Sequence, residues 1–212
     1  EVGNNLNLGF IVDRRGLCGL MRVQWETNFY YMMMKNMIRL FPADTRSIYT
    51  NLGKTRTIGM DTDVKVDVTR NVYLYFNLTL QDIRDRQRWF NDEQGTSNPT
   101  YNKHVPNIPA FYYNYGMEYH AEGLIGRREL SRVYIDVSHV GEFDWGWQMS
   151  SLAEERRKWR IPSNDVFTIG LQQSLWHNNM SLSLELENIF NKENYMEFKM
   201  PLPGRTLKAK LR

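Results

Sequence analysis

The chain has 212 residues, 42% hydrophobic and 13% aromatic, with a formal net charge of +3. So small a surplus, with acids and bases mixed rather than gathered in a stripe, excludes nucleic acid as a partner. A transmembrane helix needs roughly 18 consecutive apolar residues and no such run exists. The mean hydropathy of −0.57 still leaves room for membrane strands, which hide their apolar surface in alternation.

In chain order, Leu6, Leu8, Phe10 and Val12 alternate with Asn5, Asn7, Gly9, Ile11 and Asp13, which predicts a strand with one apolar and one polar face. Arg14-Arg15-Gly16 predicts a tight turn. Cys18, the one cysteine, cannot form an internal disulfide and is expected as a small apolar side chain in a strand. Met21, Val23, Trp25, Thr27 and Phe29 then oppose Arg22, Gln24, Glu26 and Asn28. The pattern blurs from Tyr30 to Met37, through a methionine run that could suggest copper thioether ligation. Three adjacent methionines cannot share one strand face, so that reading is set aside.

Ile58, Met60, Thr62, Val64, Val66 and Val68 next oppose Thr57, Gly59, Asp61, Asp63, Lys65 and Asp67. Asp61, Asp63 and Asp67 could be read as a calcium site, but alternate carboxylates on one strand face are more simply a wetted wall. A turn at Thr69-Arg70-Asn71 leads to Val72, Leu74, Phe76, Leu78 and Leu80, opposed by Tyr73, Tyr75, Asn77, Thr79 and Gln81. From Arg84 to Pro109 the alternation gives way to a polar loop containing Trp89, Phe90 and His104. Phe111, Tyr113, Tyr115, Met117 and Tyr119 mark the next strand, and Val133, Ile135 and Val137 another. A second long loop carries Trp145, Trp147 and the basic-aromatic cluster Arg156-Arg157-Lys158-Trp159-Arg160. Phe167, Ile169, Leu171 and Leu175 follow.

The predicted architecture is all-β: an antiparallel up-and-down meander of about nine strands, part of a transmembrane β-barrel. Short links fall at 14–17, 69–71, 123–129 and 177–179, long ones at 32–55, 86–109, 142–164 and 190–203. A soluble sandwich has no reason to sort its loops by length onto two ends. Hydrocarbon offers no hydrogen bonds, so the Leu/Val/Phe/Met face belongs outside and the polar face lines a wet interior. By parity Trp25, Phe111, Tyr113, Tyr115 and Tyr119 share the lipid face, whereas Tyr73, Tyr75 and Tyr112 face the lumen.

Residues 180–212 complete the pattern. Met180, Leu182, Leu184 and Leu186 alternate with serine and glutamate, and Leu207, Ala209 and Leu211 alternate with Thr206, Lys208 and Lys210. Between these runs stand Asn188-Ile189-Phe190-Asn191-Lys192 and Pro203-Gly204-Arg205-Thr206. Together the two boxes resemble the C-terminal end of TonB-dependent outer-membrane receptors, and the segment 51–63 resembles a strand of the later barrel in the same family.

The resemblance implies that residues 1–212 are the C-terminal part of a 22-stranded receptor barrel in the outer membrane of a Gram-negative bacterium. Glu1 is not preceded by a signal peptide and Arg212 falls short of the family's usual terminal aromatic, so a fragment is expected. The family activity is uptake of a large scarce ligand such as a ferric siderophore, haem or cobalamin. The implied partners are an N-terminal plug domain and the remaining strands, the TonB-ExbB-ExbD complex acting through the plug, outer-membrane lipid and lipopolysaccharide, and the transported ligand. The implied contribution of this segment is barrel wall and external loops.

Large aromatics are costly to expose and guanidinium groups bind anionic oxygens bidentately, so Trp89, Trp145, Trp147, Arg156, Arg157 and Trp159 are the candidate ligand vestibule. The alternative for these six is lipopolysaccharide contact or loop packing. The four histidines are scattered without metal spacing, and no catalytic set or cofactor site is visible, so an enzyme is not expected. Two other readings are a soluble aromatic-rich β-domain that binds carbohydrate and a passive porin-like barrel.

Overall fold

The computed structural model describes residues 2–36, 53–89, 97–148, 152–196 and 200–212 in full, and the backbone of 38–43, 46–51 and 197. Met37, Leu52 and Phe90, which the sequence reading placed at a strand end, a strand start and a loop, lie outside the described residues.

Nine strands form one sheet in sequence order, every neighbour antiparallel. They are β1 (Val2–Arg15), β2 (Arg22–Lys35), β3 (Lys54–Asp67), β4 (Val72–Asp85), β5 (Phe111–Glu122), β6 (Leu130–Val140), β7 (Asn164–Leu175), β8 (Met180–Glu187) and β9 (Thr206–Leu211). β1 and β9 each pair on one side only, so the sheet is open in this chain. The short links run over 16–21, 68–71, 123–129 and 176–179, all at one end; the long links leave from the other.

The register explains the two faces. Phe29 pairs with Met60 and Met60 with Leu80; Ile169 pairs with Leu186 and Leu186 with Leu207. Because side chains alternate, each such row stacks apolar groups on one face and leaves the other polar. The described core is correspondingly thin, and Leu8, Trp25, Ile58, Tyr115, Ile135 and Leu171 are all exposed, as lipid-facing groups would be.

Polar groups within the apolar face are bonded to one another. Trp25 Nε1 donates to Thr27 Oγ1 (2.8 Å) and to Thr62 Oγ1 (3.0 Å), and the two hydroxyls lie 2.6 Å apart. Nearer the short-turn end, Ser131 Oγ donates to Gln173 Oε1 at 2.5 Å. Where no water is available such groups must find protein partners, and these do.

On the polar face three tyrosines lie flat across glycines directly opposite them in the next strand: Tyr30 over Gly59, Tyr75 over Gly116 and Tyr134 over Gly170. A Cβ added at any of these glycines would come within 2.6 Å of a tyrosine ring atom, closer than side chains approach. Tyr75 reaches past Gly116 to donate to Asp136 Oδ1 (2.6 Å), and Tyr134 past Gly170 to donate to Glu185 Oε2 (2.6 Å).

Two local expectations are corrected. Cys18 is not in a strand: it is exposed in a single turn of 3-10 helix, Leu17–Gly19, with φ of 50°. β1 runs to Arg15 and β2 starts only at Arg22, so the turn is shifted and longer than expected and takes in Met21, whose carbonyl accepts from Gly16 N (3.1 Å). The long links are also less irregular than their composition suggests. Backbone 38–43 pairs with 46–51 as a hairpin, Phe143–Asp144 pairs with Arg160–Ile161, and Tyr195–Glu197 pairs with Met200–Pro201.

Candidate functional site

The box at the end of β8 works as a turn lock. Asn188 is buried in the left-handed region, φ 51°, a conformation asparagine tolerates better than most residues. Its Nδ2 donates to Lys192 O (2.8 Å) and Pro203 O (3.4 Å), and its Oδ1 accepts from Lys192 N (2.9 Å). Asn191, φ 54°, repeats the device: its Oδ1 accepts from Arg205 N at 2.9 Å and sits where a side chain at Gly204 would go. Phe190 packs edge-on against Phe167, ring centroids 4.9 Å apart, and Thr206 Oγ1 donates to Gly204 O (3.0 Å). Asn188, Asn191, Lys192, Pro203, Gly204 and Arg205 thus form one knot holding both ends of the last link.

A second asparagine pair extends the knot. Asn194 Nδ2 donates to Asp165 O (2.9 Å), and Tyr195 N donates to Asn164 Oδ1 (2.9 Å). Lys192 Nζ pairs with Asp165, whose other oxygen lies 2.5 Å from His139 Nδ1. The His139 ring stacks on Tyr113 at 4.6 Å. In the same link the Tyr195 hydroxyl donates to Glu193 Oε1 (2.5 Å), a bond that holds its pKa above the ordinary phenol value.

The link between β4 and β5 folds around Asp85, which is almost fully buried. Its carboxylate accepts from Gln87 N (2.7 Å), Asn98 Nδ2 (3.0 Å) and the Thr100 hydroxyl. Sequence reasoning passed over this hub; the signal was Asn98 two residues before Thr100, an Asx-turn pattern in which Asn98 Oδ1 accepts from Thr100 N (3.1 Å). This link touches the next: Lys103 Nζ donates to Gln148 O (2.7 Å) and Asn107 N to Asp144 O (2.6 Å).

Of the six candidate vestibule residues, the structure brings Trp145 and Trp159 together. Their rings stack at 5.5 Å and 17°, tied by Trp145 N donating to Trp159 O (2.8 Å). Arg156 and Arg157 end the short helix α1 (Ala153–Arg157) between those tryptophans and are exposed. Trp147 follows Trp145 in the same link, half-buried. Trp89 stands in the neighbouring link, bridged to Ser97 with Arg88 over its ring at 5.2 Å.

The polar wall is dense with charge pairs. Arg132 holds Glu118 bidentately, and Lys208 Nζ lies 2.7 Å from Glu187. Asp61 accepts from Thr79 (2.7 Å), while Asp63 accepts from Asn77 and pairs with Lys65 at 3.1 Å. These carboxylates are engaged by wall side chains rather than converging on a point, and among the described residues no group of three or more His, Cys, Asp or Glu could hold a metal ion.

An open antiparallel meander, apolar on one face and charged on the other, with its loops sorted by length, defines a segment of a membrane β-barrel wall. Residues 1–189 match the model of the TonB dependent receptor-like β-barrel family, and the chain belongs to that family. The matched span ends inside the Asn188–Lys192 box and stops short of Pro203-Gly204-Arg205. No curated protein matches the chain in sequence.

Among solved structures, BauA, the ferric preacinetobactin receptor of Acinetobacter baumannii, is similar at a TM-score of 0.69 and 12% identity, over 99% of this chain and 29% of that one. The copper transporter OprC is similar at 0.69 and 16%, over 99% and 30%. The ferric yersiniabactin uptake receptor FyuA of Yersinia pestis is similar at 0.62 and 14%, over 99% and 28%. The chain therefore spans under a third of the length of these structures, and at such identities the likeness is one of fold. The family is one of transport receptors rather than enzymes.

Proposed function

We propose that this chain is wall and external loops of an outer-membrane receptor that takes up a large, scarce ligand such as a ferric siderophore, haem or cobalamin with TonB-supplied energy. The family match over residues 1–189 carries the reading, on a sheet whose long links gather at one end. The remaining strands and a plug domain complete the barrel, and the plug couples to TonB-ExbB-ExbD. The apolar face meets lipid and lipopolysaccharide; the polar face lines the lumen. Two of the similar structures are described as receptors, for ferric preacinetobactin and ferric yersiniabactin, and one as a copper transporter, which favours a metal-carrying ligand.

Within that reading Trp145, Trp147, Arg156, Arg157, Trp159 and Trp89 form part of the ligand vestibule. The stacked Trp145–Trp159 pair offers a flat apolar surface in the same link as the exposed Arg156 and Arg157, a combination suited to an anionic chelate.

The test is the intact mass of the native polypeptide from purified outer membranes, with peptide mapping upstream of Glu1. A chain several hundred residues longer that includes a plug supports the receptor. A chain of this size, released without detergent, overturns it in favour of a soluble β-module. In the full-length receptor, alanine at all six vestibule positions is expected to abolish ligand binding; binding that survives returns those residues to loop packing.

A further inference from the structure

The two neighbouring short links, 123–129 and 176–179, are knit into one platform. Gln173 Nε2 donates to Ile125 O (3.2 Å), Leu130 N to Ser174 Oγ (2.6 Å) and Asn178 Nδ2 to Arg128 O (3.2 Å). Beside the platform, on the polar face, an open cleft of about 410 Å³ lies between β5, β7, β8 and the end of β9. That is within the roughly 300–1,000 Å³ of small-ligand clefts. Gln172, Asn178, Asn179 and Ser181 bring amides and hydroxyls to it, and Leu130 and Met180 add an apolar patch. Arg212, whose backbone exchanges hydrogen bonds with Ser181 (2.9 and 3.0 Å), joins Arg128 in the lining.

The cleft is cationic. Arg128 and Arg212 are both exposed, with no carboxylate paired to either among the described residues, against one acid in the lining, Glu122. The backbone around it is also strained. Among the described residues, those at positive φ that are neither glycine nor asparagine are Cys18, Arg128 (69°), Trp176 (47°) and His177 (59°), and all but Cys18 belong to these two links. A turn that needs positive φ obtains it at little cost from glycine or asparagine. A bulky residue held there instead points to a use for its side chain. Trp176 is 69% exposed, so that use is not packing within the chain.

We propose that this cleft and Trp176 bind the peptidoglycan of the cell wall, a polymer of N-acetylated amino sugars that carry short acidic peptides. The amides and hydroxyls match sugar hydroxyl and acetamido groups, and the apolar patch takes the acetyl methyl. Arg128 and Arg212 answer the peptide carboxylates, which forked guanidinium groups hold bidentately. The indole of Trp176 gives the C–H face of a sugar ring a flat apolar surface. Trp176 stands on the same turn as Asn178 but outside the cleft lining, so a ligand meeting both must extend beyond the cleft, as a polymer does. The inference rests on the outer-membrane reading above, which turns the short links toward the periplasm. It adds to uptake a second function, attachment to the wall.

The test uses the full-length receptor in detergent, titrated with the soluble disaccharide–tetrapeptide released from peptidoglycan and with the uncharged disaccharide of N-acetylglucosamine. The wild type is expected to bind the peptide-bearing form about tenfold more tightly. Arg128→Gln with Arg212→Gln should remove that preference and leave the uncharged disaccharide unaffected. Trp176→Ala should weaken both about tenfold, and Trp176→Phe, which keeps a flat ring, should restore most of the loss. Arg15→Gln with Arg70→Gln, exposed cations of the other short links, should change neither. No saturable binding by the wild type, no loss in the arginine variant, or an equal loss in the Arg15 and Arg70 variant overturns the proposal. The free tetrapeptide binding as tightly as the disaccharide–tetrapeptide overturns the glycan assignment and leaves an acidic-peptide site. A receptor recovered outside the outer membrane defeats the earlier reading; an inserted receptor that ignores the disaccharide–tetrapeptide defeats only this one.

Discussion

Replacing Asn188 with alanine separates the turn lock from the strand it follows. The side chain makes two short bonds to the backbone of Lys192 and a longer one to Pro203 O, in a buried position. Truncation leaves Lys192 N–H and C=O without these partners, and an unsatisfied buried group costs about 1–3 kcal/mol. Water at the rim recovers part of this, so about 2 kcal/mol is expected from the bonds. Alanine at φ of 51° adds about 1 kcal/mol, because it shares asparagine's Cβ crowding without the local polar contacts by which asparagine offsets it. The total of about 3 kcal/mol is local, since β8 and β9 remain paired below the knot.

The suitable assay is therefore hydrogen exchange, resolved to peptides covering 188–206 of the full-length receptor. Opening made easier by about 3 kcal/mol should speed exchange at Lys192 and Arg205 about 100-fold, with the centre of β8 unchanged. Asn188→Gly should recover about 1 kcal/mol of the loss, because it relieves the dihedral and not the missing bonds. Exchange at Lys192 within a factor of two of wild type, or a glycine variant as fast as alanine, would refute the assignment of Asn188 as a lock.

Gly170→Ala should destabilise the barrel by about 1–3 kcal/mol through overpacking against the Tyr134 ring, seen as a lower temperature for loss of heat-modifiable mobility. Adding Tyr134→Ala should restore part of that loss, and an additive double variant would contradict the contact. Asp85→Ala removes the acceptor for Gln87, Asn98 and Thr100, and should expose Arg86 and Arg88 to trypsin at least tenfold faster without altering cleavage at Arg156 or Arg157. Thr27→Val leaves Trp25 Nε1 with Thr62 alone and should cost about 1 kcal/mol in lipid; Thr27→Ser should cost less, by the same unfolding measurement.

The strands were legible because alternation of period two is written into every one of them, and the register only had to align patterns already present. The ends of the strands were less so. Tyr30 to Lys35 read as a blur because β2 continues past its apolar band, and beyond that band the outward face no longer needs to be apolar. Cys18 was misplaced because a small residue in a tight turn carries no periodic signal. The closing box was legible as a resemblance, but its mechanism lies in Asn188 and Asn191 adopting positive φ, which residue type permits and does not announce. Asp85 was invisible for a different reason: its partners come from up to 15 residues away, across residues with no pattern of their own.

The tyrosine–glycine contacts have a consequence for how the sheet is assembled. Hairpins joined by short turns inherit their alignment from the turn, but a link such as 86–110 is too long to dictate which residue faces which. The three contacts occur between β2 and β3, β4 and β5, and β6 and β7, which are pairs joined by long links. A shift of two residues would preserve the apolar and polar faces and so go unpunished by lipid, yet it would drive Tyr30 against Thr57 or Asp61, and Tyr134 against Thr168 or Gln172, where no notch exists. Each ring is a key that fits one slot. The fourth long-link pair, β8 and β9, has no such key, and there the asparagine knot at the rim is in place to count residues instead.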